Sequence, residues 1–146
     1  MRPIDTLIWH CAATPEGKFF DISDVDRWHR ERGFSGVGYH KIVLLDGKVQ
    51  EGRAESVIGA HVAGHNTGSI GYSYIGGVSA DGKTAKDTRT AAQKVTMKRL
   101  TVEAVHKYPI KRIAGHNEYA SKACPSFDVR KDELGNIEGF KGGRKA

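Results

Sequence analysis

Between Gly115 and Asp128 a histidine and a cysteine stand eight positions apart, His116 and Cys124, with Lys122 two residues before the cysteine. A thiolate sulfur and a neutral imidazole nitrogen both suit zinc, a borderline-soft ion. Eight residues exceed one helical turn, so these two donors must converge through a loop, and Pro125 fixes the backbone just after the cysteine. A third donor lies far upstream: His10 closes the apolar run Leu7-Ile8-Trp9. Two histidines and one cysteine leave a tetrahedral position open, which marks a catalytic zinc site rather than a structural one. The chain has no CxxC pair of the kind structural zinc sites use. Spacing alone leaves other readings open: a buried Cys124 thiol, a loop His116 bonded to backbone, or a disulfide between Cys11 and Cys124.

A chain of 146 residues, 38% hydrophobic and 27% charged, is the size of one globular domain with a real core. We expect it to be a monomer. Its net charge of +6 favours anionic partners: nucleic acid, an acidic membrane surface or an acidic polymer such as cell wall. The lysines and arginines are scattered and no nucleic-acid-binding module is visible, so a solvated surface outweighs nucleic-acid binding. Leu7-Ile8-Trp9 is too short for a signal peptide's apolar region, and no stretch reaches membrane-spanning length. The expectation is a chain made in the cytoplasm, without membrane insertion. Two cysteines do not make a disulfide scaffold.

The donors need elements to position them. Thr6–His10 reads as a central strand, with Leu7 and Trp9 on one face and Ile8 and His10 on the other. Thr14-Pro15-Glu16-Gly17 is a turn signal in a polar loop. Ser23, with Asp26 three residues on, starts a helix that Gly33 ends near Arg32. Val25, Trp28 and His29 share its inner face, and His29 reads as a half-buried helix residue rather than a ligand. Gly38–Leu45 is a strand, expected to lie beside the Thr6–His10 strand, and Asp46-Gly47 turns it into Lys48-Val49-Gln50. Residues 59–77 are glycine-rich, serving either turns or close approach by a ligand, and contain a strand over Ser69–Ile75. Thr90 and Gln93 form a capping box for a helix running to Tyr108, with Met97, Leu100, Ala104 and Tyr108 as its buried stripe and His106 outside. Arg112–Ala114 is a last strand leading to His116. Residues 139–146 are glycine-rich and basic and read as a flexible tail after a domain spanning 1–138. The fold class is α/β: a single-domain mixed central β-sheet flanked by helices.

Four blocks then carry a resemblance: Trp9-His10-Cys11-Ala12-Ala13-Thr14; Val37-Gly38-Tyr39-His40; Gly59-Ala60-His61 through Asn66 to Ser69-Ile70-Gly71; and Gly115-His116 through Lys122-Ala123-Cys124-Pro125-Ser126-Phe127-Asp128. In that order they resemble the zinc-dependent N-acetylmuramoyl-L-alanine amidases, the type 2 amidase and peptidoglycan-recognition family. The small amidase lysozymes of T-odd phages are the most similar group, and the likeness runs from Thr6 to about Leu134. It implies an amidase-like fold, Zn²⁺ as cofactor held by His10, His116 and Cys124, Tyr39 and Lys122 as the catalytic pair, and His61 and Asn66 in the substrate groove. His65 and His40 match less closely, His40 as a packed neighbour. Many members have other polar residues where Asn117-Glu118 follow His116. Some phage members also bind their host's polymerase; the arm before the first strand is short here, which argues against that contact.

The implied reaction cuts the amide between the muramic acid lactyl group and L-alanine of peptidoglycan, as a phage endolysin does after release from the host cytoplasm. That amide is unactivated. Zinc supplies a nucleophile at neutral pH by lowering the pKa of bound water to about 7, Lys122 would stabilise the oxyanion, and Tyr39, a poor base with an ordinary phenol pKa near 10, would orient the water. A non-catalytic muropeptide-binding module is the alternative, but such relatives typically lack the cysteine, and Cys124 is present. A regulator working through protein contact has only the general resemblance behind it.

Overall fold

The computed structural model of the chain describes residues 2–146. In chain order its elements are β1 (Thr6–Cys11), β2 (Thr14–Pro15), α1 (Ile22–Glu31), β3 (Lys41–Val43), β4 (Val49–Glu51), β5 (Ser69–Tyr74), β6 (Gly77–Val78), α2 (Ala91–Lys107), β7 (Arg112–Gly115), β8 (Phe140–Lys141) and β9 (Arg144–Lys145). Seven strands form one mixed sheet in the order β4-β3-β5-β1-β7-β9-β8, while β2, within the expected Thr14–Gly17 turn, pairs separately with β6. The central strands β3, β5, β1 and β7 are parallel, with antiparallel hairpins at both edges.

Strand β1 lies inside because its side chains are apolar on both faces. Leu7, Trp9 and Cys11 pack with Met97, Leu100 and Ala104 of α2, and each fully buried aliphatic side chain there contributes about 1.5–3 kcal/mol. Ile8 and His10 look the other way, toward the side where Val25 of α1 packs with Ile42, Leu44 and Ile75. The α2 stripe is buried as its spacing predicts, the Thr90–Gln93 capping box forms, and His106 is exposed. Buried polar groups on α2 are satisfied: Thr101 Oγ1 accepts from Trp9 Nε1 at 3.1 Å, and Gln93 Nε2 donates to the Ile75 carbonyl at 2.9 Å.

Three expectations are corrected. The cap of α1 is Asp21, in a reciprocal box with Asp24. Ser23 is inside the helix, and Asp26 instead pairs with Arg30 and accepts from the Val37 amide. The strand after Tyr39 is shorter than its apolar run and does not adjoin β1, because β5 lies between them. Finally, residues 139–146 do not hang free. Phe140 is buried, Gly142 and Gly143 take positive φ at the tip of the β8–β9 hairpin, and the Ile113 amide donates to the Gly143 carbonyl at 2.8 Å. The glycines that read as a flexibility signal are the residues a two-residue hairpin turn requires, and the hairpin covers the otherwise open edge of β7.

Candidate active site

Parallel pairing sets Trp9 opposite Gly115. One step further along each strand stand His10 and His116, so both imidazoles leave the carboxyl ends of adjacent strands, where open α/β sheets bind their ligands. Their ring centroids are 4.8 Å apart. Cys124 arrives by the loop that follows, and that loop is tied down at several points. Tyr74 Oη donates to the Pro125 carbonyl at 2.6 Å, Ser126 Oγ to the Gly77 carbonyl at 2.8 Å, and Asn117 Nδ2 to the Phe127 carbonyl at 3.2 Å. The Arg89 guanidinium lies 3.5 Å from the centroid of the Phe127 ring.

One donor atom each from His10, His116 and Cys124 lie within 4.8 Å of one another, the only such cluster of three among the described residues. Cys11 and Cys124 are both free, so the disulfide alternative is not formed. The Cys11 amide donates to Cys124 Sγ at 3.1 Å, but the hydrogen bond with the Cys11 thiol and burial push the Cys124 thiol up, so its proton would leave on metal binding. Burial, then the neighbouring His61 and His116, holds His10 well below the usual imidazole range; burial and the Lys122 charge lower His116. Both rings are therefore neutral at neutral pH, the form that binds a metal. Donor chemistry, convergence and the two neutral imidazoles fit a metal ion with an open position.

The cluster opens into a cavity of about 700 Å³ lined by Trp28, Tyr39, His61, His116, Lys122 and Cys124, among others. Lys122 is exposed at its rim. Tyr39 reaches the site from the loop before β3, its ring centroid 5.0 Å from that of His10 and 5.2 Å from that of His29. It does so across β5, whose residues near His10 are small: Gly71 pairs with Ile8 and Ser73 with His10. Burial, then the two cysteines, pushes the Tyr39 phenol above its ordinary value.

His61 and Asn66, expected in the substrate groove, line this cavity but are already engaged. The Asn66 side-chain carbonyl accepts from the His61 and Val62 amides, both at 2.9 Å, and so shapes its own loop. His61 is buried behind His10, its Nδ1 2.8 Å from His10 Nε2. Burial, then His40 and His116, lowers His61 to about 3. His40 is a packed neighbour as expected, accepting from the Gly71 amide at 3.1 Å.

Other positioning residues escaped the sequence reading. His29 Nδ1 accepts from the Gly38 amide at 2.8 Å, holding the backbone that presents Tyr39. Glu118 accepts from the Gly115 amide at 2.8 Å and from Arg112 at 2.9 Å, and so caps the turn carrying His116. Its position three residues after Gly115 is the one available signal, a capping-box spacing. Arg2 ties the carbonyls of Glu55, Thr67 and Ser69 together, which no local pattern announces.

The model of the family described as N-acetylmuramoyl-L-alanine amidase matches residues 1–127. The chain belongs to that amidase family. The endolysin of Escherichia phage T7 is 38% identical over 127 residues, covering 87% of this chain and 83% of the phage protein. The endolysin of Klebsiella phage KP32 is 37% identical over 122 residues, covering 84% and 80%. Among solved structures, the N-acetylmuramoyl-L-alanine amidase LysC from Clostridium intestinale shares the fold at a TM-score of 0.81 with 23% identity, over 96% of this chain and 88% of that one. Drosophila PGRP-LB gives a TM-score of 0.71 with 26% identity, over 86% and 76%. The amidase hydrolyses the bond between N-acetylmuramic acid and L-alanine in peptidoglycan.

Proposed function

We propose that the amidase is a zinc enzyme acting as a phage endolysin, with His10, His116 and Cys124 as the metal ligands. The convergence of two neutral imidazoles and a thiol at the base of one groove carries this reading. A bound zinc ion supplies Lewis acidity, activating water at neutral pH and polarising the scissile carbonyl. The chain's own residues supply aim and charge. The Lys122 ammonium at the rim stabilises negative charge on the carbonyl oxygen as the amide carbon becomes tetrahedral. The Tyr39 phenol stays protonated, because burial disfavours its anion, and so it orients the attacking water by hydrogen bonding. Arg32 and Lys122, both lining the groove, bring positive charge for the free carboxylates of a stem peptide.

In this reading the protein is made in the host cytoplasm, works as a monomer, and meets the wall after release. No helix among the described residues is long and apolar enough to cross a membrane. Digestion of purified peptidoglycan tests the reaction. New L-alanine amino termini should appear in step with solubilisation, while reducing sugar ends stay constant. New reducing ends without new amines would make the enzyme a glycosidase.

A further inference from the structure

His10 turns one nitrogen to the groove and keeps the other behind it. Nδ1 lies 3.9 Å from the Cys124 sulfur, and Nε2 lies 2.8 Å from His61 Nδ1. The second nitrogen of His61, Nε2, is 3.3 Å from Ser69 Oγ, and that hydroxyl is 2.7 Å from the His65 carbonyl. The carbonyl end sets the direction of the whole chain. A carbonyl only accepts, so Ser69 donates to it and its oxygen is free to accept from His61 Nε2–H. A neutral His61 protonated on Nε2 has a bare Nδ1, which accepts from His10 Nε2–H. His10 is then left with its Nδ1 lone pair facing Cys124.

The fold makes room for this chain of bonds. A Cβ on Gly71 would come within 2.5 Å of the His61 ring, and one on Gly59 within 2.7 Å of its Cδ2. The His61 and His10 rings meet edge to face, with centroids 4.8 Å apart. These two glycines therefore accommodate an internal imidazole rather than an approaching ligand.

We propose that His61 is a positioning residue for the metal, holding His10 in the tautomer that presents Nδ1, with Ser69 setting the tautomer of His61 in turn. This rests on the reading of His10, His116 and Cys124 as metal ligands. Groups that orient a metal-bound histidine typically affect metal affinity about 10–100-fold.

Cobalt(II) and zinc(II) affinities by chelator competition, with the visible spectrum of the cobalt protein, test it. His61→Phe keeps the ring but removes the relay; it should weaken both metals about 10–100-fold and shift the cobalt bands. His61→Asn, whose carbonyl can stand where Nδ1 stood, should recover a large part of the affinity. Gly71→Ala, which deletes no polar group but crowds the ring, should resemble His61→Phe. The metal-free variants should bind a muramyl peptide as the wild type does. Wild-type metal affinity and spectrum in His61→Phe would overturn the proposal, as would lost muramyl peptide binding with metal affinity intact. If His61→Phe fails to fold, Ser69→Ala decides: weakened metal binding supports the relay, and unchanged binding removes it. A wild-type protein that takes up neither metal would sink the metal reading itself, a failure distinct from that of the relay.

Discussion

His10 and His116, more than a hundred residues apart in the chain, present rings with centroids 4.8 Å apart because their strands run parallel and in step. Cys124 belongs to neither strand. It is brought to them by a loop whose own bonds to β5, β6 and the turn after His116 hold it in place.

Metal content follows from that convergence. The purified protein should carry one equivalent of zinc. Cys124→Ser should lose affinity by more than the roughly 10–100-fold typical of a supporting residue. Elemental analysis after dialysis against a weak chelator reads this directly. Full occupancy in the variant would remove Cys124 from the site.

Tyr39 and Lys122 should act on turnover rather than on the metal. Tyr39→Phe and Lys122→Met should each keep zinc, fold and muropeptide binding while kcat falls about a hundredfold or more, the scale of losing one oxyanion donor. Steady-state kinetics on zinc-loaded variants would show it. Near-normal kcat in both would reduce them to packing and rim residues.

Arg89 should matter for stability far more than the surface ion pairs. Its side chain is 3% exposed, bridges Asp87 at 2.8 Å and Asp132 at 2.7 Å, and stacks on Phe127 beside the cysteine loop. Arg89→Ala would take the partner from the half-buried Asp132 and the more exposed Asp87 and remove the stacking on Phe127, which should cost about 2–3 kcal/mol. Breaking the exposed Lys86–Glu16 pair should cost under about 1 kcal/mol. Urea unfolding of the two variants should separate them clearly, and similar midpoints would contradict this account.

Glu55 gives the fold a pH dependence of known sign. Burial pushes its carboxyl up, but hydrogen bonds from Tyr108 and from Tyr72 at 2.6 Å, with the charges of Lys41 and Lys107, outweigh burial and hold it below its usual value. A depressed folded value means the stabilisation is complete above the unfolded carboxyl range and is lost as pH falls through the folded value. Glu55→Gln should cost about 2 kcal/mol near neutrality, the scale of hydrogen bonds to a charged group. The gap from wild type should close as the pH drops below about 4. Unfolding free energies measured from pH 3 to 7 would show it, and a constant gap would mean the carboxylate charge is irrelevant.

Part of this protein is encoded by short-range chemistry and is legible along the chain. The β1 alternation of Leu7 and Trp9 against Ile8 and His10, the capped α2 with its buried stripe, and the donor types at His10, His116 and Cys124 are all local patterns. Each follows from the period of a strand or helix, or from the identity of a ligand atom. The tertiary structure decided whatever depends on which strands become neighbours. The order β3-β5-β1 puts Gly71 and Ser73 between Tyr39 and His10, and only their small size lets the two rings meet across the sheet. The same order carries His61 behind His10, with its Nδ1 2.8 Å from His10 Nε2. It also leaves β7 with an open edge, which draws the glycine-rich terminus into a hairpin. Strand order is set by the summed burial of both faces of every strand and by crossover geometry. Neither is a property of any one segment, so no window of sequence contains it.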